Sequence, residues 1–155
     1  MAEIIYQNDR FLERGVLLSE FGDEFLVVCP KCKGMAKVIP TLIADKLDLF
    51  SPRQFICLNC VYRDTWIGNQ VALGGNFDWY FQFPVWLQIS FCNEILWAYN
   101  EAHLNFIEQY VSAKLRERKP KINKSLASRL PQWLKSRKNR NEILKAIGKL
   151  RTKLA

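Results

Sequence analysis

Phe25-Leu26-Val27-Val28-Cys29-Pro30-Lys31-Cys32-Lys33-Gly34-Met35-Ala36-Lys37-Val38-Ile39 is the stretch that decides the fold, and Gln54-Phe55-Ile56-Cys57-Leu58-Asn59-Cys60 repeats its logic. In each, a β-favouring run ends on a Cys-x-x-Cys pair. A second such run then leaves the pair, Met35–Ile39 after Cys32 and Val61–Ile67 after Cys60. Two residues between thiols let one tight turn present both sulfurs to a single ion. The pattern therefore predicts two hairpins with their tips facing each other, and Cys29, Cys32, Cys57 and Cys60 as ligands of one Zn2+. Pro30 stiffens the first turn, and Gly34 offers it a residue that accepts positive φ. The second turn has Val61 and Tyr62 where a glycine would be comfortable. A redox Cys-x-x-Cys would open a helix beside a strand, whereas both pairs here sit between strand-like runs. Four thiolates fill the shell of the metal and leave no position for water or substrate, so the ion is expected to shape the fold rather than to catalyse.

Outward from the cysteines the expected class is α+β: a four-Cys zinc ribbon and β-hairpins, followed by a basic helical C-terminal region. Residues 1–24 read as a lead-in strand or short helix, 25–68 as the ribbon, 69–118 as an aromatic-rich hairpin with a long helix packed on the ribbon, and 119–155 as a basic helical tail. The 24 residues between the knuckles, Lys33 to Ile56, exceed the usual ribbon spacing. The excess falls in Pro40–Pro52, where Leu42, Ile43, Leu47, Leu49 and Phe50 suggest a short turn of helix. Val85–Phe91 and Ile95–Tyr99 predict two strands joined by a tight Cys92-Asn93-Glu94 turn, with Gly74-Gly75-Asn76 turning the chain before them. Asn100 stands where an N-cap belongs. Leu104, Ile107, Val111 and Leu115 then mark one helix face to about Arg118, stopped by Lys119-Pro120. Further on, Ser125 caps Leu126–Leu130, Pro131 opens a turn through Trp133-Leu134, and Asn139-x-x-Glu142 reads as a capping box. The last helix carries an apolar stripe of Ile143, Leu144, Ile147, Leu150 and Leu154, slightly weakened by Gly148.

The chain has 155 residues, 49% apolar and 13% aromatic, enough for a packed core. Its start lacks the basic and apolar pattern of a signal peptide, and no apolar run is long enough to span a membrane. The cytoplasm, where thiols stay reduced, is the expected compartment. Charge is divided unevenly. Residues 1–100 hold 8 Lys/Arg against 11 Asp/Glu, while residues 101–155 hold 15 against 4. A concentrated positive region attracts polyanions, either nucleic acid or an acidic protein surface.

Catalytic constellations are missing from the pattern. Gly74-Gly75 lacks the Lys-Ser/Thr of a phosphate loop, and neither Gly-x-Ser-x-Gly nor His-Glu-x-x-His occurs. Cys92 reads as a buried thiol packing like a small hydrophobe, and the single histidine, His103, as a packed or surface residue. Whether the two meet is left open by the sequence. An enzyme is not expected. The crowded aromatics of residues 66–99 read mainly as core, while Trp133 either pins the C-terminal helices or meets a ligand.

The Cys-Pro-Lys-Cys and Cys-Leu-Asn-Cys knuckles, Leu96-Trp97-Ala98-Tyr99-Asn100-Glu101-Ala102-His103-Leu104, Leu115-Arg116-Glu117-Arg118, Leu130-Pro131-Gln132-Trp133-Leu134-Lys135 and Asn139-Arg140-Asn141-Glu142 carry a resemblance. Over most of residues 25–150 the chain resembles small bacterial proteins with a transcription-factor-IIB-type zinc ribbon, whose function is generally unassigned. The resemblance implies zinc on the four cysteines and, by analogy, a part in nucleic-acid transactions. From the charge map, Lys119, Lys121, Lys135, Arg137, Lys138 and Arg140 are the expected phosphate contacts. The alternative expectation is an adaptor whose ribbon and aromatic surface dock on another protein without touching nucleic acid.

Overall fold

Alternation in the two cysteine-bearing stretches produces the main sheet of the protein. The computed structural model describes residues 10–12, 17–41, 48–113, 115–117 and 126–155. Strand β1 (Arg10–Leu12) and a 3-10 turn at Leu18–Phe21 lead into β2 (Phe25–Val28), β3 (Met35–Pro40), β4 (Arg53–Cys57) and β5 (Arg63–Trp66). These last four form an antiparallel meander in sequence order. Val28 pairs with Met35 and Ile56 with Arg63, so each Cys pair lies at the tip of a hairpin. The central pairing of Ala36 with Cys57 brings both tips to the same end of the sheet. Leu49 and Phe50 lie in a non-helical turn, and Leu42, Ile43 and Leu47 fall outside the described residues.

β6 (Leu87–Phe91) and β7 (Glu94–Ala98) form the second hairpin. Cys92 and Asn93 join them with φ of 44° and 65°, the two positive values of a twist-matched two-residue turn. The upstream glycines also turn the chain as expected: Gly74 and Gly75 have φ of 88° and 78°, with open space where a Cβ would sit. The hairpin is sewn to the ribbon along the free edge of β2. Leu26 N–H donates to Tyr99 O at 2.8 Å, Trp86 N–H to Leu26 O at 2.8 Å, and Val28 N–H to Pro84 O at 2.9 Å.

Helix α1 (Glu101–Ser112) starts at Asn100, whose Oδ1 accepts the His103 N–H at 2.9 Å. The Asn100 amide also donates to Phe21 O at 2.9 Å and Glu24 O at 2.7 Å, so one side chain caps the helix and ties down the lead-in. The helix does not reach Arg118. It ends at Ser112, Ala113 is extended (ψ 130°), and Leu115–Glu117 forms β8, paired in parallel with β1. The physical reason comes from far along the chain. Arg140 donates Nε to Val111 O and a terminal nitrogen to Ala113 O, each at 3.0 Å, and so occupies carbonyls at the helix end.

The C-terminal segment is part of the core. Helices α2 (Leu126–Arg129) and α3 (Gln132–Lys135) precede a 3-10 turn (Arg137–Asn139) and α4 (Arg140–Thr152). Ser125 lies outside the described residues. Pro131 opens α3 as expected, its carbonyl accepting Leu134 N–H at 3.0 Å. The capping box at Asn139 does not form. Its Nδ2 donates instead to Trp133 O at 2.9 Å, and the 3-10 turn feeds α4 directly. Ile143, Ile147 and Leu150 are fully buried in one cluster with Leu87, Leu96, Leu104, Ile107 and Val111. Trp133 stacks on Phe91 with centroids 5.3 Å apart, pinning α3 to β6. Trp86 Nε1–H donates to Lys153 O at 2.9 Å and fastens the end of α4.

A second cluster fills the ribbon side, built from Phe25, Val27, Ala36, Val38, Phe55, Trp79, Tyr80, Val85 and Tyr99. Its rings meet edge to face, Phe25 against Tyr99 at 4.8 Å and against Trp79 at 5.1 Å, and Trp79 Nε1–H donates to Tyr99 OH at 2.9 Å. Asp78, fully buried, holds the 78–83 loop by accepting the N–H groups of Tyr80, Phe81 and Phe83 at 2.7–2.9 Å. Desolvation still pushes its carboxyl above the ordinary aspartate value, opposed by those amides. Among the described residues, no helix is long and apolar enough to cross a membrane.

Candidate metal centre

Cys29 is the last residue before the first turn and Cys57 the last of β4, and each is followed three positions on by its partner in the turn. The two tips have nearly the same backbone wiring. Cys29 N–H donates to Gly34 O at 2.9 Å, and Cys57 N–H to Tyr62 O at 3.2 Å, a five-residue closure in both cases. The turns then direct their amides at sulfur. Lys31 and Gly34 N–H point to Cys29 and Cys32 Sγ, both at 3.4 Å. Asn59 and Cys60 N–H reach Cys57 Sγ at 3.3 and 3.2 Å, and Tyr62 N–H reaches Cys60 Sγ at 3.5 Å. Such donors favour the ionised sulfur that a metal requires.

Gly34 matters for a different reason from its expected one. The left-handed residue of the first turn is Lys33 (φ 65°), while a Cβ at Gly34 would lie 2.8 Å from Asn59 Cβ. That closeness lets Asn59 Nδ2 cross from one knuckle to the other and donate to Cys32 Sγ at 3.5 Å. Val61 and Tyr62 have no positive φ, so the missing glycine of the second knuckle costs no strain. Asn59 was not singled out by sequence reasoning, although its place between two ligand cysteines was the available signal.

The four Sγ atoms lie within 4.8 Å of one another, with Cys29 to Cys60 at 3.8 Å and Cys32 to Cys57 at 3.5 Å. Thiolates about 2.3 Å from a tetrahedral zinc stand roughly 3.8 Å apart along each edge, so the cluster fits such an ion. A disulfide would need about 2.05 Å; all four thiols are free. Hydrogen bonds from Asn59 and Gly34 hold Cys32 down to about 6. The Tyr62 amide favours the Cys60 thiolate, but desolvation and the neighbouring sulfurs outweigh it and push this thiol up to about 12. The Cys60 thiol thus resists ionisation beside the neighbouring sulfurs, a repulsion that a bound cation would relieve. An all-sulfur donor set at tetrahedral spacing suits thiophilic metal ions, zinc among them.

The other expected site residues differ in their surroundings. Lys119 and Lys121 lie outside the described residues. Arg137 and Lys138 are exposed on the turn between α3 and α4, and Lys135 is half-buried at the end of α3. Arg140 is committed to the carbonyls at the end of α1. Cys92 is exposed at the tip of the β6–β7 turn, contrary to the expected buried thiol. The turn, not the hydrophobicity of the thiol, sets its position. His103 is buried beyond the opposite end of β7. At roughly 3.4 Å per residue that strand keeps the two groups about 15 Å apart, so they form no dyad. His103 Nδ1 accepts Tyr99 N–H at 3.0 Å while its ring stacks on Phe21, centroids 5.0 Å apart. No family model matches the chain, and no curated protein or solved structure matches it significantly.

Proposed function

We propose that this is a non-catalytic zinc-ribbon protein that binds nucleic acid through the cations carried by α3, α4 and the turn between them. The supporting observation is the charge balance of a folded surface. Residues 126–155 hold nine Lys/Arg and one acidic residue, Glu142. Structural duties remove some of these cations from the count. Arg140 caps α1, Arg151 binds Asn105 and Glu108 at 2.6 and 2.7 Å, and Lys145 pairs with Glu142 at 3.3 Å. Arg137, Lys138 and Lys149 remain exposed, and Lys135 is half-buried at the end of α3. Such groups neutralise phosphates and release counterions, which gives affinity with little sequence preference and strong salt dependence. The zinc centre would order the β2–β5 sheet, whose edge strand β2 is bonded to the segments flanking the β6–β7 hairpin on which these helices pack, and no catalytic step is assigned to it.

Fluorescence anisotropy with random-sequence single- and double-stranded oligonucleotides tests this reading. Reversing Lys135, Arg137 and Lys138 to Glu together should lower the slope of log affinity against log salt by about 2 to 3, at roughly 0.7–0.9 for each phosphate that is no longer neutralised. Zinc content should not change. Unaltered affinity at low salt would remove the assignment. One observation favours the adaptor reading instead: the tip of the second knuckle exposes Leu58 (53%) and Val61 (95%). An adaptor would bind oligonucleotides weakly at any salt and lose its partner when those two residues become polar.

A further inference from the structure

A cavity of about 540 Å³ opens between the Leu18–Phe21 turn, the Leu73–Gly75 turn, β7 and the α2–α3 corner. Its walls are mostly apolar and aromatic, with Leu18, Ile107, Leu130, Trp97 and Trp133 among them. That volume and that lining are typical of sites for small organic molecules, which add a few polar groups to fix orientation. Two polar side chains matter. His103 lines the cavity, and because its Nδ1 is taken by the Tyr99 amide, its proton sits on Nε2 as a donor. Arg129 also lines it, exposed, and among the described residues its guanidinium has no hydrogen-bond or ion-pair partner. No Asp or Glu is found among the described lining residues.

The rim carries a separate signal. Leu17, Leu73 and Ile95 are 42%, 60% and 46% exposed, and all three border this one cavity. Isolated exposed apolar side chains are ordinary, but their convergence at a single mouth marks a binding surface. An apolar interior and mouth with one such cation and no anion among the described lining residues selects by charge complementarity. A cationic ligand would meet Arg129 with nothing to balance it, and a neutral one would leave the guanidinium unused. The exposed cations assigned above to phosphate contact, Arg137 and Lys138, do not line the cavity.

We propose that this cavity binds a small amphipathic carboxylate, its apolar body against the Trp97, Trp133 and Leu130 side chains and its carboxylate on Arg129. His103 Nε2–H is the second donor available to the ligand. The site is independent of nucleic-acid binding, and either could fail alone.

Calorimetric titration of the zinc-loaded full chain with 2-naphthaleneacetate and with its neutral isostere, 2-naphthaleneacetamide, tests the proposal. The carboxylate should bind saturably at one site, and the amide about tenfold or more weakly, the scale of one missing charged hydrogen-bond partner. Arg129→Gln should bring the carboxylate down to the level of the amide. Leu73→Glu, an exposed rim change, should weaken the carboxylate by a similar factor through repulsion. Leu58→Glu, the same charge change on the distant knuckle, should leave it unchanged, and circular dichroism should confirm that all three variants are folded. Equal binding of acid and amide would overturn the proposal. So would equal losses in Leu73→Glu and Leu58→Glu, which would reveal only the overall charge of the chain, or an absence of saturable binding below about 1 mM.

Discussion

In the ribbon half, β2 to β5 make a single sheet that buries Phe25, Val27, Ala36, Val38 and Phe55, while the last strand, β5, leaves Arg63, Asp64 and Thr65 exposed. In the helical half, α1, α4 and the β6–β7 hairpin surround a deeper aliphatic core with Leu104, Val111, Ile143, Ile147 and Leu150 fully buried. The first brings four free sulfurs together at its knuckle end. The second is closed by its own side chains. Yet they share a strand: Phe25 and Val27 of β2 belong to the ribbon core, and Leu26 between them belongs to the helical one. Strand alternation thus couples the unit that carries the candidate metal centre to a packing-dependent unit. The energetic question is how far each survives without the other.

Removing the metal tests this most strongly. Structural zinc contributes about 10–16 kcal/mol to the folding of small domains that depend on it. Chelation, or Cys57→Ser, should therefore abolish the protection of β2–β5 amides in hydrogen exchange while those of α1 and α4 remain slow. Simultaneous loss of both sets would show that β2 makes the protein one cooperative unit. The reciprocal change is Ile147→Ala, which leaves a cavity in the helical core and should cost about 2–5 kcal/mol in denaturant unfolding. Zinc stoichiometry should stay the same. If the variant also fails to hold zinc, the ribbon depends on the helices as much as on its ion.

The same two halves differ in how much of them could be read from the sequence. The ribbon is local: each knuckle and its flanking strands lie within about 15 residues, so spacing and alternation sufficed to foresee that the four cysteines meet. The start of α1 was equally legible because Asn100 caps its own helix. Its end was not. Leu115 continues the apolar spacing of the helix, but Arg140 takes the Val111 and Ala113 carbonyls, and β8 pairs with β1 more than a hundred positions earlier. Neither partner could be inferred from a local window. Asn139 shows the same limit, since a cap-compatible residue was claimed by the Trp133 carbonyl. The cavity is less legible still, being lined from five separate stretches of chain with no motif in common.

His103 sharpens the comparison at its seam, where both halves meet Phe21 and Tyr99. Burial holds its imidazole down to about 4, below the ordinary 6.5, and its ring is surrounded by Phe21, Trp97 and Tyr99 with no charged group among these contacts. The folded state therefore carries neutral His103 above the midpoint. Stability from this source is complete above pH 6.5 and is lost as pH falls toward 4, by about 3 kcal/mol in total. As the chain has only one histidine, its imidazole proton resonances give an unambiguous titration. A midpoint near 6.5 in the folded protein would mean that the seam is open to water.

The smallest effect expected is a gain. Gly148 lies in the interior of α4 on its exposed side, and a Cβ placed there would meet nothing within 4 Å. Its φ is in the ordinary range, so alanine fits without strain. Glycine in such a position costs about 0.8–1 kcal/mol relative to alanine, because the unfolded chain has more freedom to lose. Gly148→Ala should raise the unfolding free energy by that amount, and the midpoint with it, if α4 unfolds with the structure whose loss is measured. The reading depends on the probe. When unfolding is followed by metal release, a gain in midpoint means that the helical half restrains the ribbon through β2. When only the helical circular dichroism signal shifts and metal release does not, the two cores open separately, and Leu26 transmits little between them.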